Sequence, residues 1–169
     1  MKKLLIACFS VVFLGFSARM ASQADPSPQV IFFLSPTCKI CQFYTLEMQT
    51  LYKDYAGLFA FRAVMPGTLV SDSSATAFRE TYGIPFPVSR DVLNEHMSMN
   101  ATVTPEVFVV NGAGEVVYHG RIDDAYVAIG KRRTIVKHHE LRDVLEAIST
   151  GMRIETKNTP AVGCIIEKD

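Results

Sequence analysis

The sequence lacks three features that would each indicate a particular class of protein. Its 17 basic and 17 acidic residues cancel, so no basic excess indicates nucleic acid as a partner. The apolar run from Leu4 to Phe16 falls short of the roughly 18 residues that a membrane-spanning helix usually needs. Four cysteines, one of them in the N-terminal segment, are too few for a small scaffold held together by disulfides.

The composition is that of an ordinary globular domain. The chain has 169 residues, of which 49% are apolar and 20% are charged. This length suffices for one domain with a single sizeable core, and the apolar content excludes a disordered or collagen-like chain.

The N-terminus has the pattern of a secretory signal peptide. A basic start, Met1-Lys2-Lys3, precedes the apolar run from Leu4 to Phe16. Ser22 and Ala24 then occupy the −3 and −1 positions of a cleavage site before Asp25. We therefore expect a periplasmic or secreted protein. An uncleaved membrane anchor is the less favoured alternative, because the apolar run is short.

Cleavage would leave a mature domain of residues 25–169 with 14 basic and 17 acidic residues, a net charge of −3. Its cysteines are Cys38, Cys41 and Cys164. An odd number of cysteines in an exported domain indicates that at least one thiol is used or exchanged.

The spacing of apolar and turn residues predicts an α/β domain with a central sheet. Gln29–Leu34 is a continuous apolar run, as in a strand that is buried on both faces. Further strands are predicted at 58–65, 86–89, 107–110 and 116–119, the last two forming a hairpin across Asn111-Gly112-Ala113-Gly114. Helices are predicted from Cys38 to the stop at Gly57 and at 72–82, 92–99 and 138–149, with Thr37 and Asp72 as N-caps.

The motif Cys38-Lys39-Ile40-Cys41 lies where the first strand becomes a helix. Two thiols three residues apart in the first helical turn can close a small disulfide ring. At a helix N-terminus, unpaired N–H groups and the helix dipole stabilise a thiolate, and Lys39 adds a positive charge nearby. Such surroundings lower a thiol pKa from about 8.5 towards 7 or below. Cys38 is thus the predicted nucleophile and Cys41 the buried resolving thiol. A zinc site is disfavoured because no second CxxC or Cys-His cluster follows.

The chain resembles the thioredoxin-like superfamily, in particular its TlpA/ResA and redoxin (AhpC/TSA-like) branch. The matching segments are QVIFFLSPTCKIC, TPEVFVVNGAGEVVYHGRIDD and the closing TPAVGCIIE, with an insertion between the second strand and Pro105. The resemblance implies a thioredoxin-like fold, a central mixed sheet flanked by helices, with an insertion before the cis-proline strand and a C-terminal extension. It also implies that Pro105 is cis and that Thr104 presents its backbone to an extended substrate.

Such proteins commonly act as envelope thiol–disulfide oxidoreductases. The resemblance therefore implies an exported enzyme without a bound cofactor or metal that exchanges disulfides with cysteine pairs of other proteins. A reductase is the expected direction, with an upstream thiol reductant in the membrane or envelope, and a monomer is expected. Two positions depart from the pattern: Thr37 replaces an aromatic residue, and Tyr44 stands where reducing members often carry glutamate.

Two alternatives use the same fold differently. A peroxiredoxin-like redoxin needs Pro-x3-Thr-x2-Cys, but Ile31 and Ser35 stand at the proline and threonine positions before Cys38. A copper-binding chaperone would use Cys38, Cys41 and His119, because thiolate and imidazole are suitable copper ligands.

Two further residues have open interpretations. Cys164 is either a small buried residue of the tail or a second resolving thiol that exchanges with Cys38. Glu106, directly after the proline, is either a solvated loop charge or a group that moves protons between thiols.

Overall fold

The structure is a computed structural model that describes residues 27–155 and 157–167. The predicted signal peptide and its cleavage site lie outside these residues. In chain order the elements are β1 (Gln29–Phe33), α1 (Lys39–Tyr55), β2 (Ala60–Met65), α2 (Asp72–Thr81), β3 (Val88–Arg90), α3 (Glu95–Ser98), β4 (Val103–Thr104), β5 (Glu106–Val110), β6 (Val116–Gly120), β7 (Tyr126–Ala128), β8 (Lys131–Arg132), α4 (Glu140–Thr150) and β9 (Cys164–Ile165).

The main sheet has five strands in the order β3-β2-β1-β5-β6. β1, β2 and β3 run parallel, whereas β5 is antiparallel to β1 and β6 is antiparallel to β5. The sheet is therefore mixed, and the helices that follow its strands flank it. This arrangement confirms the predicted fold class, with β1 in the central position that its continuous apolar sequence indicated.

The two faces of β1 are covered by different parts of the chain. Val30 and Phe32 pack in one core cluster with buried residues of α1 and α4, among them Met48, Leu51, Leu141 and Leu145. Ile31 and Phe33 point to the opposite face, where they pack with Val64, Phe108, Ala101 and Ile166. The C-terminal segment thus takes part in the core through Ile166, which is only 8% exposed.

Both predicted N-caps are wrong by one residue. Ser71, and not Asp72, caps α2, because its hydroxyl accepts from the Ser74 amide at 3.1 Å while the Ser74 hydroxyl accepts from the Ser71 amide at 3.0 Å. α1 has Cys38 as its N-cap residue, without a capping side chain, while the Thr37 hydroxyl hydrogen-bonds with the Ser35 hydroxyl at 3.2 Å.

The long connection after β6, whose structure the sequence did not indicate, contains the small antiparallel hairpin β7–β8. The last helix begins at Glu140, two residues later than predicted. No helix in the described part of the chain has the length and apolar character that a bilayer crossing requires.

Candidate active site

Cys38 lies at the junction between β1 and α1, and its side chain is buried, with 1% exposed. Its amide donates to the Ser35 carbonyl at 3.2 Å, which holds the tight turn before the helix. The first turn of α1 carries no acidic residue. The uncapped N–H groups and the positive end of the helix dipole therefore act on the Cys38 sulfur without a competing carboxylate.

Two distant segments meet Cys38 at this junction. The Thr104 carbonyl oxygen lies 3.1 Å from Cys38 Sγ and accepts its hydrogen when the thiol is protonated. Cys164 Sγ lies 2.6 Å from Cys38 Sγ, and the Cys164 thiol donates to it. The Thr104–Pro105 peptide bond is cis, as the resemblance implied.

Cys41 follows one turn along α1 and is fully buried. Its sulfur accepts a hydrogen bond from the Ser35 amide at 3.4 Å, and its thiol is hydrogen-bonded to Cys38. None of the three described cysteines is disulfide-bonded in this structure.

The three thiols have different acidities. The hydrogen bond from Cys41, together with that from Cys164, lowers the pKa of Cys38 to about 4, although burial opposes this shift. Burial, followed by the hydrogen bond to Cys38, raises the pKa of Cys41 well above its ordinary value. The same two causes raise the pKa of Cys164 to about 11. At neutral pH the site therefore holds one thiolate, Cys38, between two protonated thiols.

The C-terminal segment, residues 163–166, lies directly over the site. β9 pairs antiparallel with β4, with Thr104 opposite Cys164 and Val103 opposite Ile165. The Ile166 amide extends this pairing by donating to the Thr102 carbonyl at 3.0 Å. The sequence did not indicate this pairing, and the one signal for it was the glycine that precedes Cys164.

Glu106 is a buried residue rather than a solvated loop charge, with 6% exposed. Its carboxylate accepts from the amides of Thr102 at 2.8 Å and Val103 at 3.4 Å. Glu106 therefore holds the backbone of the loop whose next residue, Thr104, contacts Cys38. Lys39 is exposed and donates to the Gln42 side chain at 3.1 Å, so its charge lies on the solvent side of the first helical turn.

His119 lies on β6, and its ring stacks on Phe108 with centroids 5.3 Å apart. Its Nδ1 faces Glu106 Oε1 at 3.7 Å. Among residues 27–155 and 157–167, no three His, Cys, Asp or Glu side chains are grouped so that they could hold a metal ion. The arrangement therefore does not support the copper alternative, which required Cys38, Cys41 and His119 together.

Tyr44, at the position where reducing relatives often carry glutamate, belongs to a buried polar contact. Its hydroxyl donates to Asp123 Oδ1 at 2.5 Å, and the same oxygen accepts from the Ala125 amide at 2.8 Å. Burial, and then this carboxylate, raises the pKa of Tyr44, which keeps the phenol protonated. Glu47, one turn further, pairs with Arg142 at 3.2 Å and does not replace the missing carboxylate.

A surface groove of about 280 Å³ borders the site. It is lined by residues 35–37, 66–70 and 164–167 and by Thr104. Leu69 and Ile165 expose 95% and 79% of their side chains here. The sequence did not indicate this groove, since three segments that are far apart in the chain form it.

No protein-family model and no curated protein matches the chain. A hypothetical protein from Sinorhizobium meliloti 1021 has a similar structure, with 26% identity, a TM-score of 0.74 and coverage of 86% of this chain and 81% of that one. An uncharacterized conserved protein from Geobacillus kaustophilus has 24% identity, a TM-score of 0.73 and coverage of 85% and 78%. A thioredoxin-like protein from Aeropyrum pernix has 14% identity, a TM-score of 0.52 and coverage of 59% and 71%. The topology and these likenesses establish a thioredoxin-like fold.

Proposed function

We propose that this chain of thioredoxin-like fold is a thiol–disulfide oxidoreductase that exchanges disulfides with cysteine pairs of other proteins through Cys38 and Cys41. The observation that carries the proposal is the position of Cys38 at the N-terminus of α1, with Cys164 Sγ 2.6 Å from its sulfur and the buried Cys41 one turn along the helix. A thiolate beside a protonated thiol one turn away is the arrangement that disulfide exchange requires.

The reaction proceeds in two exchanges. The Cys38 thiolate attacks one sulfur of a substrate disulfide, which forms a mixed disulfide and releases one substrate thiolate, which takes up a proton. Cys41 then loses its proton and attacks Cys38 Sγ, which releases the second substrate thiolate. The substrate disulfide gains two electrons, and the Cys38–Cys41 pair loses them.

The backbone of Thr104 next to Pro105 is the proposed docking edge for an extended substrate peptide. Its carbonyl lies 3.1 Å from Cys38 Sγ, so a peptide paired with it would bring its own cysteine to the thiolate. Glu106 is a positioning residue, because it holds the amides of residues 102 and 103.

The direction of electron flow is decided by which form of the pair the site stabilises. Hydrogen bonds to the Cys38 thiolate stabilise the dithiol form and are lost when the disulfide forms. This effect makes the reduction potential more oxidising. We expect a reduction potential between about −270 mV, the value of thioredoxin, and about −120 mV, the value of a strong oxidant. The sequence-based expectation of a reductase supplied by an upstream envelope reductant stays a prediction.

A redox titration of residues 25–169 in glutathione buffers, with peptide mapping of the disulfides, tests the proposal. Cys38→Ser should abolish disulfide-dependent turnover of insulin. Cys41→Ser/Cys164→Ser, which lacks both thiols next to Cys38, should trap mixed disulfides. Thr50→Ala, which lies on the exposed face of the same helix, should change neither result. Full turnover by Cys38→Ser would overturn the proposed role of Cys38 as the nucleophile.

A further inference from the structure

The C-terminal segment, residues 163–166, occupies the edge at which an extended substrate would pair. β9 forms antiparallel hydrogen-bonded pairing with Val103 and Thr104, the residues directly before Pro105. Cys164 stands opposite Thr104, so its side chain has the position that a substrate cysteine would take.

We propose that Cys164 is a second resolving thiol, and that a Cys38–Cys164 disulfide closes the site under the chain's own C-terminal segment. This inference rests on the proposed exchange chemistry of Cys38 and adds a partner within the chain. The segment already pairs with Thr104 when the cysteines are free, and the disulfide would fix it there. A substrate peptide could then pair with Thr104 only after the bond is reduced and the segment has moved away.

The two sulfur atoms are already placed for the bond. Cys164 Sγ lies 2.6 Å from Cys38 Sγ, and a disulfide of about 2.05 Å needs only a small further approach. The pairing of β9 with β4 fixes the backbone of Cys164, and the buried side chain of Ile166 anchors the segment two residues later.

Gly163 is the residue that permits this close approach. A Cβ atom at Gly163 would lie 2.2 Å from the Thr104 carbonyl oxygen and 3.1 Å from the Pro105 nitrogen. Both atoms belong to the backbone, so a side chain at position 163 would displace the segment from the loop. The absence of a side chain at this position is therefore a requirement of the contact between Cys164 and Cys38.

Cys38 forms a mixed disulfide with one sulfur of a protein or glutathione disulfide, and the first thiolate leaves. Cys164 gives its proton to that thiolate or to water and attacks Cys38 Sγ. The Cys38–Cys164 bond forms, the mixed disulfide breaks, and the second thiolate departs. Two thiols of the chain are oxidised, and the substrate disulfide is reduced.

Reopening is favoured by the difference in exposure. Cys164 is exposed, whereas Cys38 and Cys41 are buried. An incoming thiolate therefore reaches the Cys164 sulfur and expels Cys38. The thiolate of lower pKa is the better leaving group, so attack at Cys164 frees Cys38 and leaves Cys164 in a mixed disulfide with the attacking thiol. A second thiolate of the reductant then attacks this mixed disulfide and releases the Cys164 thiolate, which takes up a proton, while the reductant leaves as a disulfide.

The test uses the mature chain, glutathione disulfide as the oxidant, acid quenching, alkylation and peptide mapping. In Cys41→Ser, we expect an internal Cys38–Cys164 disulfide and little glutathione on Cys38. In the double variant Cys41→Ser/Cys164→Ser, we expect at least about tenfold more glutathione on Cys38, because the intramolecular attack is gone.

Gly163→Ala in the Cys41→Ser background is an independent test of the contact between Cys164 and Cys38. It should raise glutathione on Cys38 to the level of the double variant. Gly57→Ala in the same background is the matched control, since a Cβ at Gly57 would meet no atom within 4 Å. It should leave the internal disulfide intact.

Equal glutathione on Cys38 in Cys41→Ser and in the double variant would overturn the role of Cys164. The variant Cys164→Ser, which keeps only the Cys38–Cys41 pair, separates this result from failure of the proposed function. If glutathione labelling is equal in the two variants and Cys164→Ser still forms a reversible Cys38–Cys41 disulfide, only the inference on Cys164 is wrong. If it forms none and does not reduce insulin, the oxidoreductase proposal falls as well.

Discussion

At the scale of single residues, three thiols of the same chemistry have three different environments. Cys38 is a thiolate because Cys41 and Cys164 both donate to it. Cys41 is protonated because it is buried, and Cys164 because it is partly desolvated and lies beside the thiolate. The acidity of each thiol thus depends on the other two, so removing one should change the titration of its neighbours.

An ultraviolet titration of thiolate absorbance checks this coupling. The wild-type protein should lose one thiolate as the pH falls through about 4, the pKa of Cys38. Cys38→Ser should remove that transition. Cys164→Ser should move it to higher pH, because one of the hydrogen bonds that lower the pKa is lost. A wild-type transition near the ordinary thiol pKa of about 8.5 would contradict the predicted thiolate.

The same pKa makes the stability of the reduced protein depend on pH. Folding lowers the pKa of Cys38, so the Cys38 thiolate contributes to the free energy of unfolding. This contribution is fully present above the ordinary thiol pKa and declines as the pH falls towards about 4. Urea unfolding of reduced wild type and Cys38→Ser should show a difference in the free energy of unfolding that shrinks over this range. A difference that is independent of pH would contradict the assignment.

Glu106 gives a second prediction at this scale. Glu106→Ala leaves the amides of Thr102 and Val103 without their acceptor, which should cost about 1–3 kcal/mol of folding free energy. Glu106→Gln keeps one acceptor oxygen and should cost less. Urea unfolding measures both variants. A smaller loss for alanine than for glutamine would show that the carboxylate does not hold this loop.

At the scale of elements, the site depends on β9, a strand of two residues. Its pairing with β4 is short, so hydrogen bonds between the strands contribute little by themselves. The anchor is Ile166, which packs with Ile31 and Phe108 on the second face of the sheet. We therefore attribute the position of Cys164 mainly to the burial of the residue two positions after it.

Ile166→Ala tests this attribution. The variant should lose about 2–3 kcal/mol of unfolding free energy, since it removes a buried aliphatic side chain. Release of the segment should also speed the alkylation of Cys38, which is otherwise buried. Ile165→Ala is the matched control, because Ile165 is 79% exposed and should lose little in either assay. Equal effects of the two variants would contradict the anchoring role of Ile166.

At the scale of the whole molecule, the redox state should change stability. The dithiol form keeps the hydrogen bonds to the Cys38 thiolate, and the Cys38–Cys41 disulfide form loses them. In Cys164→Ser, which confines oxidation to that pair, the reduced protein should therefore melt at a higher temperature than the oxidised protein. Calorimetry of both forms measures this difference. A higher melting temperature for the oxidised form would instead favour the reductase expected from the sequence.

Much of the fold was predictable, because its elements depend on local patterns. The apolar run of β1, the helical spacing of α1 and the Asn111–Gly114 turn each predicted an element that the structure contains. The N-cap of α2 was misplaced by one residue, because Ser71 and Asp72 are nearly equivalent as caps in sequence. That of α1 was misplaced because its N-cap residue is Cys38, which makes no capping hydrogen bond with its side chain. The β7–β8 hairpin was missed, since its short strands are largely exposed and show no clear alternation.

The sequence by itself determined the chemistry that is available to this protein: a CxxC pair at a strand–helix junction, a proline before a buried strand and one further cysteine near the end. The tertiary structure alone decided that these parts meet. Thr104 is 66 residues from Cys38, and Cys164 is 126 residues from it. No local periodicity reports contacts over such separations. They depend on how the sheet orders its strands and on which buried side chain anchors the tail, and these are properties of the packed core.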